Sequence, residues 1–181
     1  MAEQRVISKD TGKKGFTIAD LILVAVLIAA GAVLKMCVGS VINFFGMKPN
    51  FIIAMYCLAI AVIRPKVYQA AIIGLITGAV CQFLPGTPWL NFISELLGAV
   101  CMCLMLKIPM HFTKARLEII ICTFVSTVVS GGSFVLCLFI FLNSPASALV
   151  AYVPIVLGTA VLNCIIVQVL YYPIKKVLKK D

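Results

Sequence analysis

The sequence predicts an all-α integral membrane protein, a bundle of six transmembrane helices with both termini in the cytoplasm. Three observations predict it. Of the 181 residues, 63% are hydrophobic and only 12% are charged, and the mean hydropathy is +1.16, a balance foreign to ordinary soluble domains. The apolar residues fall into six runs, most of them long enough to cross hydrocarbon. The Lys and Arg residues sit between the runs, in alternate connections, as topology-setting loops do. The formal charge of +9 therefore does not describe a nucleic-acid partner, which would require the basic residues to share one soluble face.

The runs are Phe16–Val38, Phe51–Ile63, Val67–Leu84, Leu90–Leu106, Leu117–Leu142 and Ser147–Ile174. Crossing ~30 Å of hydrocarbon takes about 20 residues, with a range of roughly 17–25. The first, third, fifth and sixth runs reach that length, and the fourth lies at its lower limit. The second falls short, covering only about 20 Å at ~1.5 Å per residue. Either it stops below one face or the chain before it dips into the protein, where irregular backbone is tolerated only if buried or lining a cavity. Residues 1–181 read as one membrane domain, with basic cytoplasmic tails at 1–15 and 175–181. The apolar run after the polar start is too long for the core of a cleavable signal peptide.

Charge orients the runs. Arg5, Lys9, Lys13 and Lys14 precede the first, Arg64 and Lys66 separate the second from the third, Lys107, Lys114 and Arg116 the fourth from the fifth, and Lys175, Lys176, Lys179 and Lys180 follow the sixth. The other connections hold Lys48 and no further Lys or Arg. This is a positive-inside pattern, and it requires an even number of spans.

The first run carries Ala25, Ala29 and Ala32 on one face, small residues at a spacing that lets another helix approach. The third has a similar ladder, Ala70, Gly74 and Gly78 with Thr77 beside it, read as internal packing. In the fifth, Gly131 and Gly132 loosen the helix or admit a close neighbour. Asp20 and Glu118 read as interfacial charges at helix starts. Glu95 is different. It lies about a turn and a half inside the outer end of the fourth run, where an ionisable residue is costly and faces the interior. It is either an ion-pair partner of Lys35 or Lys48, or a functional group. The eight cysteines form no CxxC pair and read as small packing residues. His111 is the sole histidine, so neither a metal site nor a cofactor is expected.

The outer halves of the runs collect Lys35, Lys48, Asn50, Gln82, Trp89, Asn91 and Glu95, with Ser130 and Asn163 deeper. The inner halves read as almost purely apolar. Lys48, with the free N–H groups at the start of the second helix, suits a carboxylate. Glu95 suits an ammonium or another N–H donor. Together they suit a zwitterion, with Phe44, Phe45, Met55 and Trp89 as apolar surroundings. No catalytic set is present: GxxxxGK[ST] does not occur, and Gly12-Lys13-Lys14 belongs to the basic tail. Uphill transport would need a partner ATPase or an ion gradient. The six runs show no doubling of the kind found in many secondary transporters.

These residues resemble a known family. Ala25-Val26-Leu27-Ile28-Ala29 is similar to the AxxxA motif of the substrate-binding S components of energy-coupling factor (ECF) transporters. Gly46-Met47-Lys48-Pro49-Asn50 resembles the GMKPD segment of the tryptophan transporter (TrpP-like) group, and Ile73-Gly74-Leu75-Ile76-Thr77-Gly78 its IGxxTG. Pro88-Trp89-Leu90-Asn91 is similar to the IPN turn of that group, Ser130-Gly131 to a serine-glycine pair, and Leu162-Asn163 with Tyr172-Pro173 to its last span. The matches run in order over nearly the whole chain. The chain departs from the group at Asn50, where an acid is usual, and at Ser94-Glu95, where an acid followed by lysine is frequent. The resemblance implies an S component that binds tryptophan or a related small amphipathic molecule from outside. It implies docking through Ala25, Ala29 and Ala32 on a transmembrane coupling subunit driven by two ATPases, and delivery of the substrate by reorientation in the lipid. The alternative is a stand-alone secondary transporter of an amino acid or vitamin-like solute. Lys35, Lys48, Asn50, Gln82, Trp89, Asn91, Glu95 and Asn163 are the expected substrate-binding residues.

Overall fold

The computed structural model describes residues 15–41, 49–84, 87, 89–108 and 115–178. Among them are six helices and no strand: α1 (Ile18–Val41), α2 (Ile52–Ile63), α3 (Val67–Cys81), α4 (Leu90–Met105), α5 (Ala115–Leu142) and α6 (Ala146–Val177). One helix corresponds to each apolar run. The GMKPD-like segment up to Lys48, with Phe44 and Phe45, lies outside the described residues.

Three helices, α1, α5 and α6, are long and apolar enough to cross a membrane unaided. This corrects the expectation for the third run, which was long enough by sequence. Its helix ends at Cys81, and the chain leaves through tight turns in which the Phe83 and Leu84 amides bond the carbonyls of Val80 and Cys81. Pro85 follows, and the residue before a proline is disfavoured in helical conformation. At ~1.5 Å per residue, α2, α3 and α4 rise only about 18, 22 and 24 Å. Each is shorter than the ~30 Å of a hydrocarbon core.

The shortest helix is the most enclosed. Every residue of α2 from Ile52 to Val62 is buried, with the other five helices packed around it. It has no polar face because it meets neither lipid nor water. α1 turns Asp20, Val24, Leu27, Ile28, Gly31 and Lys35 inward, a helical repeat of three and four. A Cβ on Gly31 would stand 3.0 Å from the Ile52 backbone, so glycine sets the α1–α2 approach. The ladder on α3 works as expected. Cβ atoms on Gly74 and Gly78 would stand 2.8 and 2.9 Å from the α4 backbone at Leu96 and Phe92. Gly131 of α5 admits Val156 of α6, whereas Gly132 meets nothing. Outward faces are apolar and exposed, with Val26 and Val33 on α1, Phe139 and Ile140 on α5, and Val153 and Val161 on α6. Hydrocarbon is the solvent those faces suit.

The end carrying the basic residues is tied together. Arg64 closes α2 in left-handed conformation (φ 50°), its amide bonding the Ile60 carbonyl. Its guanidinium donates to the Leu106 carbonyl at 3.2 Å and pairs with Glu118 at 3.3 Å, linking α2 to α4 and α5. At the start of α1, the Thr17 hydroxyl and amide both donate to the Asp20 carboxylate, and Thr17 Oγ1 accepts from the Asp20 amide. This reciprocal cap makes Asp20 the helix-start charge that its position suggested.

Candidate functional site

At the opposite end, the short helices leave room for a buried polar cluster. Glu95 lies at its centre and is fully buried. It is reached from three directions. Asn50, at the entrance to α2, donates its side-chain amide to Oε1. Ser130 of α5 donates its hydroxyl to Oε2 at 3.3 Å. Lys35 of α1 acts on the carboxylate electrostatically, but not as an ion pair within 4 Å. The Arg64–Glu118 pair is the one salt bridge among the described residues.

Lys35 is itself buried, and its ammonium meets the Cys81 thiol at 3.8 Å. Ammonium and carboxylate are thus both buried without joining. Burying either charge is expensive unless it is compensated. A carboxylate offers roughly four acceptor positions, and among the described residues Asn50 and Ser130 donate to Glu95.

Asn163, fully buried on α6, completes the cluster. Its amide nitrogen donates to the Asn50 carbonyl at 3.3 Å and to Thr127 Oγ1 at 3.4 Å. Because the nitrogens of Asn50 and Asn163 are both spent on acceptors, their orientations are set, and each leaves its Oδ1 facing no donor. Both oxygens are buried and without a hydrogen-bond partner, as is the Tyr56 hydroxyl from α2. Orphaned buried polar atoms are uncommon in native structures. Three such atoms beside an incompletely satisfied carboxylate make this the region best fitted to receive a polar ligand. The Tyr56 hydroxyl occupies the space a side chain at Gly98 would need, against Ser130.

Below Glu95 the α5 face is polar, contrary to the apolar inner half read from sequence. Thr123, Ser126, Thr127 and Ser130 are all buried. Ser126 donates to the Gly98 carbonyl at 2.8 Å, which spends its one proton, so the Cys57 thiol at 3.3 Å is the donor to Ser126. Thr127 donates to the Thr123 carbonyl at 2.9 Å. Small hydroxyls look unremarkable in a sequence, whether returned to their own helix backbone, as Thr127 is, or bonded to a neighbouring one, as Ser126 is to α4. Tyr56 had no signal beyond its place in the short helix.

Of the expected binding residues, Lys35, Asn50, Glu95 and Asn163 come together. Lys48 lies outside the described residues. The other three are used elsewhere. The Gln82 side chain donates to the Gly78 carbonyl at 2.9 Å and accepts from the Trp89 amide at 2.8 Å, pinning the α3–α4 connection. Asn91 is buried, and its amide donates to the Thr87 carbonyl at 3.3 Å. Trp89 is 75% exposed, packs on Phe92, and lines a lateral apolar groove of about 310 Å³ with Leu90, Ile93, Phe141 and Leu142. Of the proposed docking face, Ala25 and Ala29 are exposed and Ala32 is half-buried. Among the described residues no group of His, Cys, Asp and Glu is placed to hold a metal.

The family described as tryptophan transporter TrpP matches residues 17–179. A probable tryptophan transport protein of Clostridium acetobutylicum is 26% identical over 162 residues, covering 88% of this chain and 93% of that protein. A probable tryptophan transport protein of Bacillus subtilis is 24% identical over 164 residues, covering 90% and 94%. No solved structure matches the chain.

Proposed function

Since the chain belongs to the tryptophan transporter TrpP family, we propose that it imports tryptophan as the substrate-binding S component of an ECF-type transporter. It is a multi-pass protein of the cell membrane. In the proposed cycle, tryptophan binds from the outer side at the cluster of Asn50, Glu95 and Asn163. The protein then docks through Ala25, Ala29 and Ala32 on a transmembrane coupling subunit powered by two ATPases. The chain carries no phosphate loop of its own, so on this reading the nucleotide chemistry belongs to the partners.

The observation that carries the binding site is Glu95, fully buried and met by the neutral donors Asn50 and Ser130, beside orphaned oxygens on Asn50 and Asn163. A carboxylate held this way below the membrane surface costs stability, and a ligand donor would offset that cost. Reorientation of the whole subunit, rather than a channel, is supported by the enclosed apolar α2 at the centre of the bundle.

Two measurements test the reading. Tryptophan should raise the thermal stability of the purified protein where other amino acids and vitamins do not. Affinity purification from the native membrane should retain a coupling subunit and paired ATPases. Tryptophan uptake by vesicles containing this chain alone, driven by an ion gradient, would instead establish a stand-alone transporter.

A further inference from the structure

We propose that the site reads both charged ends of a free α-amino acid, with Lys35 as the anchor for the ligand carboxylate and Glu95, Asn50 Oδ1 and Asn163 Oδ1 as the cradle for its ammonium. The inference rests on the tryptophan reading above and assigns the polarity of that site.

The two ends follow from two independent observations. Near Glu95, the Tyr56 hydroxyl is the one unpartnered group among the described residues able to donate, and it faces an excess of acceptors: the remaining lone pairs of the carboxylate and the orphaned oxygens of Asn50 and Asn163. An ammonium carries three N–H donors and one positive charge. It therefore meets three acceptors, one of them anionic, better than an indole N–H with its single proton. At Lys35 the situation is reversed. The residue is buried on α1, and its described hydrogen-bond partner is a neutral thiol. A strongly hydrated ammonium gains little from sulfur, whereas a carboxylate supplies both charge and strong acceptors.

The protein also keeps the two charges apart. If Lys35 and Glu95 formed a direct ion pair, each would satisfy the other and the ligand would have to break it. They instead stand further apart than an ion pair, with the Lys35 ammonium against the Cys81 thiol at 3.8 Å, so a zwitterion lying between them would pair with both. One charge comes from α1 and the other from α4, so a ligand spanning them bridges helices packed on different sides of α2. Lys35 sits on the inward face of α1, and Ala25 and Ala29 lie exposed on the same helix. The carboxylate anchor therefore belongs to the helix proposed to dock.

Binding of L-tryptophan, tryptamine and indole-3-propionate to the purified wild-type protein tests this directly. Tryptamine lacks the carboxylate and indole-3-propionate lacks the amine. Each is expected to bind at least roughly tenfold more weakly than tryptophan, because each leaves one buried charge unpaired. In Lys35→Met, tryptophan should lose its advantage over tryptamine and keep its advantage over indole-3-propionate. Glu95→Gln should do the opposite. Tryptophan binding with either analogue equally tight in the wild type overturns the polarity and leaves the transporter reading standing. No tryptophan binding at all overturns the substrate reading, and this inference with it. The analogue comparison shows without any variant whether both ends are read, and the opposite responses of the two variants assign each end to its residue; the same response from both variants would overturn the assignment.

Discussion

Glu95 shows how a single residue organises its surroundings. A carboxylate this deep must be compensated, and the chain does so with neutral donors drawn from the start of α2 and from mid-α5. Asn163 supports Asn50 through its backbone carbonyl. Replacing Asn163 with Ala is therefore expected to weaken tryptophan binding through loss of an acceptor and through slackening of Asn50, with a cost of about 1–3 kcal/mol in binding free energy. Isothermal titration against the wild type measures it, and unchanged affinity would remove Asn163 from the site. A second pair of residues tests the packing beneath. Gly98→Ala sets a methyl where the Tyr56 hydroxyl lies, an overpacking expected to cost about 1–3 kcal/mol of stability. Tyr56→Phe removes the hydroxyl that fills this space. In the double variant the penalty should shrink, and only in part, because Ser130 Cβ remains 2.8 Å from the added methyl. Additive effects in thermal unfolding would contradict this account.

At the scale of the element, the helices are held by small residues on one side and by a cationic cap on another. Between α3 and α4, Gly74 and Gly78 bring backbone against backbone. Without a hydrophobic drive between helices in lipid, such close contact is a main source of association. Gly74→Val would push α4, and Glu95 with it, away from α3. A fall in melting temperature together with loss of tryptophan binding is the expected result. At the basic end, Arg64 combines a left-handed backbone with bonds to Leu106 and Glu118. Glycine accepts that backbone freely and alanine does not. Arg64→Gly is thus expected to be more stable than Arg64→Ala by about 1 kcal/mol. The reverse order in thermal unfolding would place the stabilisation in the side-chain bonds alone.

On the scale of the whole molecule, the proposed transport cycle requires one binding end and one docking flank that can be separated by mutation. The proposed binding cluster lies among the inward faces of α1, α2, α4, α5 and α6. Ala25 and Ala29 are exposed on α1, so bulky residues there would meet lipid rather than the core. Ala25→Trp with Ala29→Trp should abolish uptake in cells holding the full transporter while leaving the affinity of the purified subunit for tryptophan unchanged. Full uptake would count decisively against docking through this face.

Composition and charge pattern alone determined that this chain is a six-helix membrane protein, because hydrocarbon demands apolar runs of set length and loop charge sets their alternation. Sequence also singled out Glu95 as a charge out of place, since burial of a carboxylate is costly wherever the fold puts it. The roles of Gln82, Trp89 and Asn91 were not legible. Each is polar or aromatic and lies in the outer half of its run, but whether a side chain there meets a ligand, a backbone carbonyl or lipid depends on the path of the turn that bears it. Tertiary structure sent Trp89 outward and committed Gln82 and Asn91 to the α3–α4 connection. It also brought Lys35, Asn50, Glu95 and Asn163 together from three helices and the segment that enters α2. Their meeting depends on α2 being both short and central, so that groups at its entrance lie inside the bundle, and no local pattern in the sequence encodes which helix will be surrounded by the others.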